Sequence, residues 1–564
     1  MRDNHRPGRL VRGLRIGLAP LCLLLPGMAL GQSFSAGDLA SSRAPSMPTA
    51  PDGYGEGGGV GNLLPNLFDQ FGLFAGLNER YTDNATGSAT AAQSNWITQG
   101  TLGVSASRIA PRLSVMLNYG LNVNYFASSV GNNDSLLVNN NLNASTTIDV
   151  IENHFLFQAQ AYASPVYASR VGNILPAGQV LPPGANGDVR NSYGYTLQPD
   201  LYFKLGDFLR SDLVPTYSAF YYDTQTGGAV TPLGTPVAGN QFTKGITERL
   251  TSGEFFTRVQ WSAIASYSEM GAASAGLTQR SATGEISYAI DHGFSVLADV
   301  GYQSITSRSA FRDTLSSPIY MGGFQFNLAR LTGQFRAGEQ FHSFSMTGNV
   351  TYVVSPRMSL FASAQDGINT PGAAMFNPQA MFGSLLQGFG GGQIQFPGGF
   401  GGLGGLGGFG GPGGLGNLGG VVGLQNSIAR FRSQNVGMSY AFEDYNLSAS
   451  GFNIAQETQT AVPIGQNPDL RSTGVTVAMS KMLAQDITGS LYGSYRNDTL
   501  QVGSADSINF GASASYAMNQ NTQLYMQGTY FKRLSSAGLT AVPGGIGGDV
   551  SAVSVVVGIT HTFQ

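Results

Sequence analysis

Charge is scarce in this sequence. Of 564 residues only 29 are Lys or Arg and 32 are Asp or Glu, 11% of the chain, against about 25% in an ordinary soluble domain. Cysteine is nearly absent, with Cys22 alone, so disulfide scaffolds and cysteine-ligated metals drop out. Past the N-terminal segment no apolar run reaches about 18 residues, which excludes a helical membrane bundle. Hydrophobic residues make up an unexceptional 42%, and the mean hydropathy is −0.01. Glycine, by contrast, is plentiful at 79 residues, beside 24 Tyr and 33 Phe. What these numbers leave is a membrane protein whose apolar surface is spread thinly.

Arg2, Arg6, Arg9, Arg12 and Arg15 precede an apolar stretch at 16–29 that Pro20 and Pro26 interrupt, and Ala29 and Gly31 are small. That order reads as a signal peptide over 1–31, cleaved before Gln32. The mature chain then holds 24 basic and 31 acidic residues, a net charge of −7, and nucleic acid is excluded as a partner. Residues 32–69 are rich in Ser, Ala, Pro and Gly without a hydrophobic period, and read as a periplasmic linker.

From about residue 70 to 564 the pattern has period two. Leu113, Val115, Leu117, Tyr119, Leu121, Val123 and Tyr125 alternate with Ser114, Asn118, Asn122 and Asn124, the mark of a strand with two unlike faces. The pattern returns at Phe294 to Tyr302, Val350 to Val354, Val436 to Phe442 and Val475 to Met479. Runs of about ten residues or more exceed soluble strands and suit a tilted bilayer crossing.

Connection lengths alternate as well. Short links at residues 110–112, 150–152, 205–207, 291–293, 355–357, 443–445, 484–486 and 519–521 separate longer Gly, Asn, Ser and Pro-rich stretches around 85–94, 168–187, 224–241, 306–318, 458–469 and 533–548. A soluble sandwich or propeller does not explain this alternation together with a signal sequence. The expected fold is all-β: a transmembrane antiparallel up-and-down barrel of about 22 strands (between about 18 and 24), in the cell outer membrane and in contact with its lipid. An even count returns both termini to the periplasm, with short turns there and long loops outside. Energised transporters of this strand number carry a folded plug, for which residues 32–69 are too few.

Val553, Val555, Val557, Ile559 and Phe563 fall on one face of the last strand, resembling the closing signal that barrel-assembly machinery recognises. Gln564 after the phenylalanine and His561 at a place often held by an aromatic depart from that pattern. Tyr81-Thr82-Asp83-Asn84 and the turns Pro111-Arg112-Leu113-Ser114 and Pro356-Arg357-Met358-Ser359 resemble the β-barrel porin 2 type of outer-membrane protein, over roughly residues 70–564. The resemblance implies exopolysaccharide export, with the polysaccharide and an export apparatus as partners.

Little in the chain looks catalytic, and neither an enzyme nor a cofactor is expected. His154, His292, His342 and His561 have no neighbour at metal-ligand spacing; His292 reads as a turn residue and the others as strand residues. Gly388–Gly423 contains 20 glycines in 36 residues, and 367–429 carries no charge. The Gly-x-Gly-x-x-Gly matches inside it lack a following Gly-Lys-Ser/Thr and mean nothing for phosphate binding. About 369–423 reads as an extracellular loop: a disordered insertion, an inward-folding gate or a segment that docks on a surface partner.

Positions alternating with the apolar face are mostly neutral. Asn118, Asn122, Asn124, Gln158 and Gln160 are the expected lumen-lining residues, and amides suit a hydrated, hydroxyl-rich solute better than a phosphate. Arg258, Arg280 and Arg336, with Arg108 and Arg330, are candidates for an internal charge ladder, or else pair with acids near the rims. The expected function is a pore for exopolysaccharide or another neutral glycan; a general diffusion porin and a structural or adhesive barrel are the alternatives.

Overall fold

An extended chain turns successive side chains to opposite faces, and in the computed structural model every alternating run forms a strand. The structure describes residues 68–85, 92–128, 136–167, 189–222, 241–272, 276–291, 293–307, 314–369, 429–458, 469–500, 503–535 and 549–563. The signal segment, nearly all of the linker, and the Gly-rich stretch beyond Asn369 lie outside them.

Twenty-two strands follow in order: β1 (Gln70–Thr82), β2 (Asn95–Ala110), β3 (Leu113–Phe126), β4 (Leu136–Ile151), β5 (Phe155–Tyr167), β6 (Val189–Leu205), β7 (Leu209–Tyr222), β8 (Gln241–Ser252), β9 (Val259–Ala272), β10 (Gly276–Asp291), β11 (Phe294–Ser307), β12 (Thr314–Asn327), β13 (Leu331–Gln340), β14 (Ser343–Ser355), β15 (Met358–Asn369), β16 (Ala429–Ala441), β17 (Tyr445–Thr458), β18 (Leu470–Ala484), β19 (Ile487–Leu500), β20 (Gly503–Ala517), β21 (Thr522–Ser535) and β22 (Val550–Phe563). Each pairs antiparallel with its neighbours in sequence. β22 also pairs with β1, from Leu73↔Phe563 to Thr82↔Ser554, so the sheet closes on itself. At about 4.8 Å between strands and about 40° of tilt, the backbone cylinder is on the order of 40 Å across.

The ten connections at one end take two to six residues each. Eight are the short links read from the sequence; 253–258 and 328–330 are two more. Connections at the other end are mostly longer, but only two or three residues join β9 to β10, β13 to β14 and β19 to β20. The stretch expected as a loop at 306–318 is partly strand: β11 runs to Ser307 and β12 begins at Thr314, with Pro318 opposite Tyr302. The β12–β13 ladder reaches only Tyr320↔Glu339, so the β12 edge at Pro318 needs no N–H.

Register carries one alternation around the whole circle. Asn78, Gln99, Asn124, Ser268, Gln279, Gln303, Ser472 and Asn509 share the inner face. Leu102, Val300, Val436, Leu491 and Val557 share the outer face, and Leu102 is 62% exposed. The apolar outer band lies between aromatic clusters. Toward the short-turn end Phe294 stacks on Phe324 at 5.6 Å, Phe442 on Tyr445 at 4.9 Å, and Phe208 lies 4.9 Å from Phe255. Toward the other end Tyr81 meets Trp96 at 5.1 Å and Tyr195 meets Tyr217 at 5.7 Å. Such a band between aromatic girdles is the surface that a bilayer-spanning barrel presents to lipid.

Large inward rings are accommodated by glycines directly opposite. A Cβ at Gly103 would fall 2.0 Å from Phe74 Cζ, and one at Gly511 would fall 2.1 Å from Tyr492 Cε1. Tyr162 with Gly194, Phe361 with Gly437, Phe452 with Gly474 and Tyr525 with Gly558 repeat the arrangement. Each ring therefore lies along the wall instead of standing into the lumen.

Leu102→Arg puts a charge mid-strand on the outer face and should cost about 2–4 kcal/mol of folding into lipid. Gln160→Arg, on the inner face, should change stability by no more than about 0.5 kcal/mol. Urea titrations of folding into vesicles check the pair, and equal costs would contradict the face assignment.

Candidate functional site: the inner wall

From β1 to β6 the inner wall is mostly amides and hydroxyls, with Arg80 on β1 and Asp200 on β6 sharing the same face. Asn78 Nδ2 donates to Gln99 Oε1 at 3.0 Å, Gln99 Nε2 donates to Asn122 Oδ1 at 3.4 Å, and Thr101 Oγ1 donates to the same Asn122 oxygen at 2.8 Å. Asn122 stands opposite Asn139, and Asn118 opposite Asn143. Gln160 stands between Ser145 and Thr196, Gln158 between Thr147 and Gln198. Asn78 Oδ1, Asn124 Oδ1 and Asn139 Oδ1 meet no donor among the described residues. All three residues are buried in the wall, Asn124 completely, so these oxygens face packed neighbours and not the lumen. Hydroxyl pairs carry the same chemistry farther round: Thr196 with Ser218 at 2.9 Å, Ser359 with Ser439 at 2.7 Å and Ser490 with Ser513 at 2.6 Å.

Charge on this wall is gathered into compensated groups. Arg336 on β13 reaches across β12 to Glu285 on β10 and to Asp299 on β11, its Nε 3.1 Å from Asp299 Oδ2. Its side chain is 3% exposed. Near the short turns Arg210 Nε lies 2.9 Å from Asp212 Oδ1, Asp212 stands opposite Arg249, and the Arg210 guanidinium covers the Tyr202 ring at 4.6 Å. Near the opposite end Arg496 Nε lies 2.7 Å from Asp498 Oδ1. In each of these three groups the cation has an acid beside it.

The five amides expected from sequence, Asn118, Asn122, Asn124, Gln158 and Gln160, all fall on this inner face. The arginines divide. Arg336 lies inside; Arg258 sits in the β8–β9 turn, its carbonyl accepting from the Ala289 N–H at 2.8 Å. Arg280 is on the outer face, opposite Tyr267 and with its guanidinium 5.6 Å from that ring. It shares parity with Ile286 and Tyr288, and that parity decides its side. Its length lets the head reach the polar edge of the band. Arg108 is likewise on the outer face, opposite Val115, and Arg330 lies in the β12–β13 turn. Asn78, Gln99, Asn139, Glu285 and Asp299 were not singled out by the sequence, although the same parity contains them.

Two histidines read as strand residues are in turns instead, His154 between β4 and β5 and His342 between β13 and β14; His292 lies outside the described residues. His561 is in β22, its Nδ1 2.8 Å from Thr522 Oγ1 and its ring 4.5 Å from Phe563. Val555, Val557, Ile559 and Phe563 share its outer face. No group of three or more His, Asp or Glu among the described residues is arranged to hold a metal.

The class these features define is a closed 22-strand antiparallel barrel with an apolar exterior and a polar inner wall. No protein-family model matches the chain, and no curated protein matches its sequence. Among solved structures it is similar to the siderophore receptor PirA from Pseudomonas aeruginosa, at 11% identity over 88% of this chain and 80% of that one, with a TM-score of 0.38. The FrpB iron transporter from Neisseria meningitidis (F5-1 variant) gives 10% identity over 89% and 84%, at 0.39. OccAB4 from Acinetobacter baumannii gives 8% over 88% and 100%, at 0.33. Likeness this distant says nothing about cargo.

Arg336→Met should leave two buried carboxylates unpaired and cost about 3–5 kcal/mol. Adding Glu285→Gln and Asp299→Asn should recover most of that loss in urea unfolding from vesicles. No recovery would mean that Arg336 acts through packing and not through charge.

Proposed function

We propose that this chain is a passive outer-membrane pore for neutral, hydroxyl-rich solutes, a glycan above all, and not an enzyme. The observation that carries the reading is the run of paired amides and hydroxyls along the inner face from Asn78 to Gln160. A hydroxyl-rich chain exchanges hydrogen bonds with such a wall one at a time, so it is held weakly at many places and can move on. A phosphorylated or carboxylated solute finds no cluster of cations among the described residues of that stretch.

In this reading the short turns face the periplasm, the longer connections face outward, and Val555, Val557, Ile559 and Phe563 present the outer face of β22 to the barrel-assembly machinery. The resemblance to the β-barrel porin 2 type favours export of exopolysaccharide, with an export apparatus on the periplasmic side. A general diffusion porin is the second reading, favoured by neutral amides and hydroxyls that serve any hydrated solute alike.

Proteoliposomes should swell faster in a neutral tetrasaccharide than in a sugar phosphate of similar size, and Asn118→Leu with Asn143→Leu should slow the neutral sugar severalfold. No swelling in either solute would overturn the pore. A deletion strain that loses exopolysaccharide secretion supports export; normal secretion with lost sugar uptake assigns the diffusion porin instead.

A further inference from the structure

The wall of this barrel is not continuous between β14 and β15. Their ladder runs from Ser355↔Met358 to Gly348↔Ala364 and stops. Above it Ser343–Thr347 of β14 pair only with β13, and residues 365–369 of β15 pair only with β16. The two free edges have equal length, five residues each. Continuing the existing register would set Ser343 opposite Asn369, Ser345 opposite Gly367 and Thr347 opposite Gln365, so the sequence contains a complete ladder that the structure leaves unmade.

The β13–β14 hairpin has instead folded inward. Phe341 at its tip packs with Met270, Leu277 and Ile305 of β9, β10 and β11, and Leu315 of β12 borders that cluster. Gln340 Nε2 donates to Gln303 Oε1 at 3.4 Å, the His342 N–H donates to Ser317 Oγ at 3.2 Å, and His342 Nε2 lies 2.7 Å from the Ser316 carbonyl. Arg336, lower on the hairpin, is anchored to Glu285 and Asp299. On the other side of the gap Arg430 binds Asp366 and also reaches Ser343 Oγ and the Phe344 carbonyl. Its guanidinium stitches the parted edges.

The bend has a hinge and carries strain. Gly348, the last β14 residue paired with β15, has φ +148°, and Gly333, two residues from its partner Phe335 on β13, has φ +138°. A Cβ at Gly348 would lie 2.3 Å from the Gln334 carbonyl oxygen, and one at Gly333 would lie 2.1 Å from that of Asn349. At the tip Phe341 and His342 have φ +57° and +56°, a left-handed pair usually given to Asn-Gly. Bulky residues hold that geometry only where surrounding contacts impose it, and such positions gather at switches.

We propose that the β13–β14 hairpin is a two-position flap in the barrel wall. In one position it is docked on the inner face, narrowing the lumen and leaving a slot between β14 and β15. In the other it swings out on Gly333 and Gly348 and zips residues 343–347 onto 365–369, which widens the lumen and seals the slot. In hydrocarbon, unpaired backbone edges favour zipping, while the Phe341 socket and the Arg336 anchor favour docking. The flap does not depend on what the pore carries, and crosslinking reads it whether or not solute moves.

In a Cys22→Ser background, Gln303→Cys with Gln340→Cys reports the docked position. Ser345→Cys with Gly367→Cys reports the zipped one, and a side chain at Gly367 meets nothing within 4 Å. In vesicles under mild oxidation the first pair should crosslink readily in the otherwise unaltered chain. Gly348→Ala, which disfavours the bent backbone, and separately Arg336→Met should each raise the 345–367 crosslink at least severalfold, and trapping it should increase single-channel conductance. Arg336→Met stands alone if Gly348→Ala does not fold. A 345–367 crosslink that forms in neither variant, while 303–340 still forms, would make the hairpin a fixed part of the wall. A 345–367 crosslink as fast as 303–340 in the unaltered chain would remove the docked resting position.

Discussion

The constraint on which everything else rests is that a backbone N–H or C=O cannot stay unpaired in hydrocarbon. An open sheet has two edges, so 22 strands in a bilayer must close, and β22 meeting β1 through Val557↔Glu79 and Val555↔Tyr81 is the closure. Once the ladder is closed, strand period two leaves each residue only two places to be, lipid or lumen. The low charge of the chain follows: one face must be apolar, and the other here is polar but mostly neutral.

Most of this was legible in the sequence because it is local. Alternation along Leu113 to Tyr125 predicts both faces of β3, and a Pro-Arg pair at 111–112 or 356–357 marks a turn without help from any other strand. Where local signals weaken, elements are harder to see: the six-residue turn from Gly253 to Arg258 is not among the short links that the sequence marks, and Ser316-Ser317-Pro318 look like loop yet lie in β12. The charge of Arg280 suggests the lumen or a rim pair, although its parity with Ile286 puts it on the outer face. A long cation near the edge of the band satisfies both lipid and headgroup, so residue type alone misleads there.

The contacts that were not legible join strands that are distant in sequence. Arg336 finds Asp299 across one intervening strand and Glu285 across two, and Arg430 finds Ser343 across a seam. Nothing in the spacing of those residues announces the pairing, because it exists only once β13 and β14 lean inward. The glycines at 333 and 348 were visible, but among 79 glycines they carried no distinguishing mark. Neutral wall and charged strap thus belong to different levels: the first is written residue by residue, the second arises from assembly.

Single cysteines placed in turn along Leu113–Phe126 of β3, in the Cys22→Ser background and in intact vesicles, test the two-faced wall most directly. Labelling with a charged, membrane-impermeant thiol reagent should reach Ser114, Met116 and Asn118 positions and spare Val115, Leu117, Leu121 and Val123. Labelling without that alternation, or none at Ser114, Met116 and Asn118, would contradict a water-filled lumen lined by this face.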